Sequence, residues 1–385
     1  ILEGAGYRRI ETPTFEQTEV FARGVGASTD IVRKEMYTFD DGGGRSVTLR
    51  PEGTAPICRA YAEHGMHKLP QPVKLWYLSS FFRSEKPQQG RFRQFWQVGA
   101  EVLGSDDPAV DAELVVLLAT LLAELEVGGL RLRIGSLGTL AARQAYRDEL
   151  QAYLRANADR LSDDVRSRID LNPLRAWDSA DPGTRAVMAG APLLLEHLDA
   201  ADAEHFAIVR ELLDRAGIAH EVDPTLVRGL DYYTRTVFEF VSDELSAQSG
   251  VAGGGRYDGL VELLGGPATP GCGWAAGIER MLLASGGLPI APPPVDLYVA
   301  FDAPAQRADA FAVADEARRA RLSTQVELAG RSRKGQLKHA DRLGARYVAI
   351  VGAQTTMLRD TGAGEQRDLA AGDVVAQILR SRGMR

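Results

Sequence analysis

Residues 82–101 read FRSEKPQQGRFRQFWQVGAE and combine a predicted turn, a predicted strand and a local excess of positive charge. Pro-Gln-Gln-Gly at residues 87–90 is typical of a turn, so its flanks are predicted to pair as antiparallel strands. Alternation along the second strand places one polar face at Arg91, Arg93, Phe95, Gln97, Gly99 and Glu101. The opposite face is predicted to pack in a core and consists of Phe92, Gln94, Trp96, Val98, Ala100 and Val102.

The polar face suits a ligand with a phosphate end, a flat ring and an amine or imidazole end. Arginine makes bidentate contacts to phosphate, and Phe95 could stack on a base. Arg83 can approach Arg91 across the turn, and two guanidiniums about 4 Å apart repel by about 4 kcal/mol at an effective dielectric of about 20 unless an anion lies between them. Glu85 can neutralise part of this charge. The alternative for this stretch alone is a solvated hairpin with Arg–Glu pairs.

Composition limits the classes of protein that fit. The chain has 385 residues, 45% hydrophobic and 25% charged, which predicts an ordinary globular protein of two or three domains. A net charge of -7 argues against a general nucleic-acid coat, so a nucleic-acid partner would need a local basic patch. Two distant cysteines, Cys58 and Cys272, favour a reducing cytoplasm. Without a long apolar run or a signal pattern, we expect a soluble cytoplasmic protein and no membrane role.

Hydrophobic patterns divide the chain into strand-rich and helix-rich parts. Residues 36–54 predict a hairpin around Asp-Gly-Gly-Gly, residues 111–126 a long apolar helix, and residues 129–138 a strand. Residues 141–218 have helical spacing and predict a helical insert. Strands resume at 227–241, a helix follows at 277–287, and residues 289–294 form a proline-rich linker. Residues 295–385 alternate strand and helix and predict a small α/β domain with a parallel element.

Three further motifs bear on chemistry. Glu52 and Thr54 follow a predicted strand and could receive an ammonium group, although a solvated turn explains them equally well. Arg228 precedes paired tyrosines, and the glycine-rich stretch at 250–259, interpreted as a loop, could bring backbone close to a ligand. Arg280 lies at a predicted strand-to-helix junction, where a surface Glu–Arg pair is the alternative.

Metal-ligand sets and covalent nucleophiles find little support. His64 and His67 lack further ligands at suitable spacing, so no metal site made by protein side chains alone is predicted. No serine nucleophile elbow occurs, and Cys58 lies in an apolar helical run. The expected chemistry is positioning and charge stabilisation.

Taken together, these segments resemble the bacterial-type histidyl-tRNA synthetases, which are class II aminoacyl-tRNA synthetases. GYRRIETPTFEQTEVF is similar to class II motif 1, FRSEKPQQGRFRQFWQ to motif 2 and GWAAGIERMLL to motif 3. LVRGLDYYTRTVFEF and AGGGRYDGL resemble the two histidine-specific segments of the family. The resemblance implies an α+β fold in which residues 1–140 and 219–288 form an antiparallel-sheet catalytic core. It also implies that residues 295–385 form an α/β anticodon-binding domain.

The resemblance also implies roles for individual residues. The ATP site would comprise Arg83, Glu85, Arg91, Arg93, Phe95 and Arg280, in which Arg91 and Arg93 would hold the outer phosphates or fold the loop. The histidine site would comprise Glu52, Thr54, Gln97, Glu101, Arg228, Tyr232, Tyr233 and Tyr257. Arg83 and Arg228 would act on the α-phosphate, while Glu101 and Tyr233 would face the imidazole. A carboxylate and a phenol can satisfy both ring nitrogens, so an analogue lacking either nitrogen would leave a buried polar group unpaired.

The implied substrates are L-histidine, ATP with Mg²⁺, and tRNA(His), and the implied assembly is a homodimer. The positions expected to contact tRNA are Gln88, Gln89, Arg331, Arg333, Lys334 and Lys338. A solvated helix face is the alternative for the last four. The family has a helix upstream of motif 1, so we expect residues before Ile1.

Two departures from the family pattern concern packing. Trp96 stands where histidine is usual and Trp274 where phenylalanine is usual, and alternation predicts that Trp96 repacks in the core without touching ATP. A different class of function is a non-catalytic paralogue, such as the regulatory subunit of ATP phosphoribosyltransferase or a tRNA-sensing domain. Such relatives typically lose the motif arginines or the last domain, whereas Arg83, Arg228 and Arg280 are present here.

Overall fold

The computed structural model describes residues 1–26, 29–86, 90–245, 250–286 and 294–383. The chain divides into two compact units, Ile1–Leu288 and Pro289–Arg385. Gln88 and Gln89, predicted to contact tRNA, and most of the predicted linker lie outside the described residues. The finer division of the first unit into core and insert stays a prediction.

The described part of the first unit contains a sheet of eight strands and a second sheet of three strands. The strands are β1 (Arg8–Arg9), β2 (Phe15–Gln17), β3 (Thr38–Asp40), β4 (Ser46–Leu49), β5 (Val73–Phe82), β6 (Gln94–Leu103), β7 (Leu130–Ser136), β8 (Glu221–Val222), β9 (Thr234–Ser242), β10 (Gly250–Arg256) and β11 (Gly271–Gly277). The three strands of the second sheet, β2, β3 and β4, come between β1 and β5 in the chain. The large sheet has the order β1-β5-β6-β11-β10-β9-β7-β8, with parallel pairing only at its two edges. The predicted α+β fold with an antiparallel core is confirmed.

Both predicted hairpins pair in the expected way. β3 and β4 are antiparallel with Phe39 opposite Val47, and Gly44 in the turn has φ of 74°, a value that glycine adopts without strain. β5 and β6 are antiparallel with Phe81 opposite Phe95. This second hairpin brings the residues before and after the 87–90 turn onto neighbouring strands.

Helices surround the sheets of the first unit. They are α1 (Thr18–Gly24), α2 (Thr54–Glu63), α3 (Pro108–Glu124), α4 (Leu140–Ala156), α5 (Asp163–Arg166), α6 (Pro182–Met188), α7 (Ala200–Arg215), α8 (Leu260–Leu263) and α9 (Ile278–Ala284). The predicted long helix is α3, and it begins before residue 111 because Asp107 caps it, accepting a 2.8 Å hydrogen bond from the Ala109 amide. Helices α4 to α7 lie within the predicted insert, with a 3-10 helix at Pro173–Asp178.

The large sheet is covered on both faces. Leu114 and Leu118 of α3 pack with Ala100 and Val102 of β6, so this half of the predicted packing face is buried. Trp274, which stands where the family usually has phenylalanine, is 2% exposed in the same cluster. Because α3 carries many leucine and valine residues, it can pack against an apolar face of the sheet.

The prediction that Trp96 repacks in the core is wrong for this structure. Trp96 is 46% exposed and Phe92 51% exposed. Strand β6 begins at Gln94, so Phe92 lies outside the sheet. Trp96 lies near the start of β6, outside the cluster that covers Ala100 and Val102, and its amide donates a 3.0 Å hydrogen bond to the Glu279 carboxylate in the first turn of α9.

The glycine-rich stretch is a strand and not a loop, which corrects the interpretation from sequence. β10 pairs antiparallel with both β9 and β11, so its backbone groups are satisfied from two sides. A Cβ placed at Gly254 would lie 2.0 Å from the Gly273 carbonyl oxygen. Glycine at this position permits β10 and β11 to lie close together within the buried sheet.

The second unit is an α/β domain, as predicted. Its elements are β12 (Leu297–Phe301), α10 (Arg307–Arg319), β13 (Thr324–Val326), α11 (Arg333–Arg342), β14 (Tyr347–Val351), β15 (Thr356–Asp360), β16 (Gln366–Leu369) and α12 (Val374–Ser381). β12 is parallel to both β13 and β14, and β15 and β16 extend the sheet antiparallel in the order β13-β12-β14-β15-β16. No helix in the described ranges of either unit has the length and apolar character needed to cross a membrane.

Candidate active site

A cavity of about 360 Å³ in the first unit brings together four of the arginines singled out from the sequence. Predicted site residues that line it are Arg83, Glu85, Arg91, Phe95, Gln97, Arg228 and Arg280. Three carboxylates that sequence reasoning did not assign also line it: Asp178, Glu239 and Glu279. The cavity lies at the β6, β10 and β11 part of the large sheet.

Arg83 is held against Phe95. Its Nε donates a 2.9 Å hydrogen bond to the Pro51 carbonyl, and its guanidinium carbon lies 5.2 Å from the centre of the Phe95 ring. The Phe81 ring lies on the same face of the sheet, with its centre 6.1 Å from that of Phe95. A flat ligand at Phe95 would therefore lie close to a cation.

Glu85 lies between two of the arginines, as the sequence suggested. Its carboxylate is 2.7 Å from Arg91 and 3.9 Å from Arg83. Burial and then the charge of Arg91 lower the pKa of the Arg280 guanidinium, which also lines the cavity. An anion bound between Arg91 and Arg280 would relieve that repulsion.

Arg93 is exposed and does not line the cavity. It precedes the first residue of β6, Gln94, so the alternation that places Phe95 and Gln97 toward the cavity does not extend to it. Its carbonyl instead accepts a 2.9 Å hydrogen bond from the Arg83 amide, which closes the hairpin.

A carboxylate and a glycine fix the position of the Arg228 guanidinium. Its NH1 donates a 3.0 Å hydrogen bond to Glu239 Oε1, and a Cβ at Gly253 would lie 2.6 Å from its NH2. Burial lowers the pKa of Arg228, but the charge of Glu239 prevails and the net direction is upward. The signal for Glu239 in the sequence was a single carboxylate within the apolar strand TVFEFV.

A second group of predicted residues forms a buried cluster of carboxylates and tyrosines. Glu101 has no solvent exposure, and its two oxygens accept hydrogen bonds of 2.8 Å from the Thr54 hydroxyl and 2.7 Å from the Tyr257 hydroxyl. Burial raises the pKa of Glu101 to about 8, although the bonds from Tyr257 and Thr54 oppose the rise. Glycine at 273 leaves room for this carboxylate, since a Cβ there would lie 1.7 Å from Oε2.

Glu52 is the second buried carboxylate. It accepts bonds of 2.8 Å from the Thr54 amide and 3.0 Å from the Ala55 amide at the start of α2, and burial raises its pKa. The Tyr232 hydroxyl is 3.5 Å from Glu52, and the Tyr232 ring centre is 4.6 Å from that of Tyr233 and 5.8 Å from that of Tyr257. The phenol bonded to Glu101 is thus Tyr257, while Tyr233 packs against Tyr232.

Tyr77 was not singled out from the sequence. Its side chain is buried among Gly53 and Gly99, where added Cβ atoms would lie within 2.9 Å of its hydroxyl oxygen. Within the described ranges neither this hydroxyl nor the buried Gln97 Oε1 has a hydrogen-bond partner. Tyr77 lies on the same face of β5 as the buried Leu75 and Phe81, so its place in the sequence does not distinguish it from a core residue.

Protein ligands for a metal are sparse. Among the residues that the structure describes, no three His, Cys, Asp or Glu side chains form a metal-binding group. Mg²⁺ is commonly held by one or two carboxylates together with substrate phosphates. The cavity carboxylates Glu239 and Glu279 fit that requirement beside the arginines.

The remaining predicted residues belong to the second unit. Arg333, Lys334 and Lys338 of α11 line an open surface hollow with Leu337 and Asp341. Arg331 and Arg333 both lie 3.2 Å from a carboxylate, but the partner of Arg331, Glu327, is buried, whereas the partner of Arg333, Asp302, is 39% exposed.

Known proteins resemble this chain over most of its length. A family profile described as Histidyl-tRNA synthetase matches residues 1–281. A Histidine--tRNA ligase of Halorhodospira halophila is 51% identical over 91% of this chain and 84% of its own length. A Histidine--tRNA ligase of Desulfitobacterium hafniense is 47% identical over 96% of this chain and 89% of its own length. The solved structure of apo S. aureus histidyl-tRNA synthetase is 33% identical with a TM-score of 0.80, covering 98% of this chain and 92% of that one.

Proposed function

The chain belongs to the histidyl-tRNA synthetase family, and we propose that it activates L-histidine with ATP and transfers the histidyl group to the 3′ end of tRNA(His). It is an aminoacyl-tRNA synthetase. The observation that carries the residue assignment is the buried Glu101–Tyr257 pair beside an arginine-lined cavity that takes in Gln97 of the same strand. Relatives named as ligases at 47–51% identity support this function over a regulatory paralogue.

Histidine binding is assigned to the carboxylate–tyrosine cluster. Glu52, Thr54 and Gln97 would receive the amino group, since a carboxylate, a hydroxyl and an unpaired buried amide oxygen are all acceptors. Glu101 would accept the imidazole N–H, and a tyrosine hydroxyl would serve the other ring nitrogen. Tyr232, Tyr233 and Tyr257 are the phenols close enough to take part, with Tyr257 already bonded to Glu101.

ATP binding is assigned to the cavity. Phe95 would stack on adenine, Arg83 would contact the α-phosphate, and Arg91 with Arg280 would hold the outer phosphates. Glu85 orients Arg91 through their 2.7 Å ion pair. Mg²⁺ would be held by the phosphates with Glu239 or Glu279 and would supply further charge neutralisation. Arg93 supports the hairpin in this proposal and does not contact phosphate.

In the first step the histidine carboxylate attacks the α-phosphorus and pyrophosphate leaves. Negative charge grows on the α-phosphate oxygens, and the guanidiniums of Arg83 and Arg228 are fixed cations for it. Glu239 fixes the Arg228 guanidinium through their 3.0 Å hydrogen bond, so little reorganisation is needed when the charge develops. In the second step a ribose hydroxyl at the tRNA 3′ end attacks the acyl carbon and AMP leaves.

The tRNA contacts outside the catalytic core are assigned to the second unit. Arg333, Lys334 and Lys338 supply a local basic surface on an otherwise acidic chain. Replacing Lys334 and Lys338 by alanine should raise the KM for tRNA and leave ATP–pyrophosphate exchange unchanged. Arg331 is tied to Glu327, so it supports the loop in this proposal, and Gln88 and Gln89 stay predictions from sequence.

A homodimer in the cytoplasm is also proposed. Trp96 and Leu78 lie on one face of the β5–β6 pair and are 46% and 40% exposed, which is unusual for large apolar side chains of neighbouring strands. Two buried, unpaired cysteines agree with a reducing compartment. Sedimentation equilibrium of the protein, compared with Trp96→Glu, tests the assembly.

Histidine-dependent exchange between ATP and pyrophosphate tests the activity. We expect exchange with L-histidine and none above background with the other standard amino acids. A full-length protein that shows no histidine-dependent exchange would refute the proposal. Charging of tRNA(His) in the same preparation then tests the second step separately.

A further inference from the structure

The segment that carries Arg228, Tyr232 and Tyr233 is irregular. Residues 228–233 lie after β8 and before β9, outside any helix or strand. A catalytic arginine needs a fixed position, because displacement by about 1 Å can cost about a hundredfold in rate. Something other than secondary structure must hold this segment.

The helical insert supplies hydrogen bonds along the segment. Arg143 of α4 donates a 2.7 Å bond to the Tyr233 carbonyl, and Asn172 donates a 2.7 Å bond to Asp231 Oδ1. Arg175 of the Pro173–Asp178 turn donates to the Gly229 carbonyl. These donors come from separate parts of the insert and reach alternate residues of the segment.

Burial makes two of these bonds costly to lose. Arg143 is 7% exposed, and the Arg175 side chain is 14% exposed. The same 3-10 turn places Asp178 in the lining of the cavity beside Arg228. The insert thus reaches both the backbone of the segment and the space into which Arg228 projects.

The opposite side of the segment is held by the core. The Asp231 amide donates a 3.1 Å bond to the Val25 carbonyl, and a Cβ at Gly26 would lie 2.5 Å from Asp231 Oδ2. Asp30 of the same core region is 2.8 Å from Arg168 of the insert. Asp231 therefore lies between core and insert, bonded to both.

We propose that Arg143, Asn172 and Arg175 of the helical insert are positioning residues for Arg228 and Tyr233, so that the placement of the insert sets the rate of histidine activation. This rests on the proposed function of the site. None of the three donors bonds to Arg228 itself, and they act through the backbone and Asp231. Binding of histidine and ATP should reciprocally order the insert, because coupling between sites is mutual.

Asn172→Ala is the principal test, because it removes one amide on a partly exposed turn with little loss of packing. We expect kcat of histidine-dependent exchange to fall roughly 10- to 100-fold, with the KM for ATP within about threefold of wild type. Gln151→Ala is the matched control, since Gln151 donates to the Ile169 and Asp170 carbonyls within the insert only. Both variants should keep the same urea midpoint.

Hydrogen exchange gives a second readout that does not depend on turnover. Saturating histidine and ATP should slow amide exchange at residues 172–178 in wild type and in Gln151→Ala, and much less in Asn172→Ala. Arg175→Lys, which keeps a donor, should retain more activity than Arg175→Ala.

The outcomes separate the two proposals. A wild-type protein without histidine-dependent exchange overturns the proposed function and this inference with it. An active wild type with Asn172→Ala equal to Gln151→Ala in kcat and in protection overturns the inference alone. A fall in the urea midpoint of Asn172→Ala that accounts for its lost activity, with kcat per folded molecule unchanged, also overturns it.

Discussion

The Tyr257 hydroxyl lies 2.7 Å from Glu101 Oε2 and donates to it a hydrogen bond that no solvent reaches. The Thr54 hydroxyl donates a 2.8 Å hydrogen bond to the other oxygen, and Gly273 leaves no side chain between the carboxylate and its neighbouring strand. The carboxylate therefore has one orientation before any substrate arrives. Its remaining lone pairs are the only part available to a ligand.

Glu101→Gln should weaken histidine recognition selectively. The amide keeps the size but loses the charge, and hydrogen bonds to a charged group contribute about 1.5–3 kcal/mol. We expect the KM for histidine in ATP–pyrophosphate exchange to rise roughly 10- to 100-fold, with the KM for ATP nearly unchanged. Glu262→Gln, on an exposed face of α8, is the control and should match wild type. An unchanged histidine KM in Glu101→Gln would contradict the assignment.

The raised pKa of Glu101 predicts how the stability of the ligand-free protein depends on pH. Its pKa rises from an ordinary 4.5 to about 8 on folding. Between these values the folded state holds a proton that the unfolded state has released. The free energy of unfolding contributed by this group is thus undiminished below about pH 4.5, falls as pH rises, and is fully lost above about pH 8.

Urea unfolding of wild type and Glu101→Gln at several pH values measures this contribution. We expect wild type to lose stability relative to the variant by at most about 1.4 kcal/mol per pH unit between pH 5 and 8. Histidine should reduce the slope by binding the ionised form. Parallel curves for the two proteins would show that Glu101 ionises normally in the folded state.

Neighbouring glycines of β10 should respond differently to alanine. At Gly253 the added Cβ would meet the end of the Arg228 side chain at 2.6 Å, and that end can move. Gly253→Ala should therefore fold but lower kcat of exchange by roughly 100-fold, because the guanidinium leaves its position by about 1 Å. An active Gly253→Ala would exclude Arg228 from the transition state.

At Gly254 the obstacle is backbone, with the Gly273 carbonyl 2.0 Å from the added Cβ. Since strands cannot separate without losing hydrogen bonds, Gly254→Ala should lose at least about 1–3 kcal/mol of unfolding free energy. Urea unfolding checks this, with Gly253→Ala as the partner variant. Equal stability of the two variants would contradict the close approach of the strands.

Short-range pattern predicted much of this structure. Alternation over Phe95, Gln97 and Glu101 placed three site residues on one face, because β6 is regular from Gln94 onward. The same rule was wrong for Trp96, since alternation gives the side of a strand and not how far the covering helix extends. The rule also assigned Arg93 to the polar face of β6, although the strand begins only at Gln94.

Long-range contacts explain what sequence reasoning could not reach. Asn172 and Asp231 are 59 positions apart in the chain. Glu239 and Arg228 are joined by an irregular segment, so no helical or strand periodicity predicts their contact. Nothing local in LNPLRAW indicates a role beside RGLDYY. The glycine-rich stretch suggests a loop whose backbone approaches a ligand, whereas in the structure it is a strand whose glycines permit close packing between two neighbouring strands.

Behind the site, Asp111 and Arg256 form an ion pair of 2.7 Å in which neither side chain is exposed. Asp111 also accepts bonds of 2.9 Å from Thr236 and 2.6 Å from His205. Burial alone would raise the pKa of Asp111, but the His205 bond and the charge of Arg256 lower it below the ordinary value. Breaking a buried pair costs about 3–5 kcal/mol, and without Asp111 the buried Arg256 would keep the partly exposed Asp258, 3.3 Å away, as an ionic partner. Asp111→Asn should therefore lose unfolding free energy of that size in urea.

The contrast with an exposed pair makes the prediction decisive. Asp315 and Arg319 on α10 lie 2.6 Å apart with side chains 44% and 80% exposed, so Asp315→Asn should change stability by less than about 1 kcal/mol. Replacing both buried partners, as in Asp111→Leu with Arg256→Met, should recover part of the loss because the unpaired carboxylate that remains, Asp258, is 29% exposed and can be solvated. Because Arg256 adjoins Tyr257, Asp111→Asn should also raise the KM for histidine at temperatures where it is folded. A stability of Asp111→Asn equal to that of Asp315→Asn would mean that water reaches the buried pair in solution.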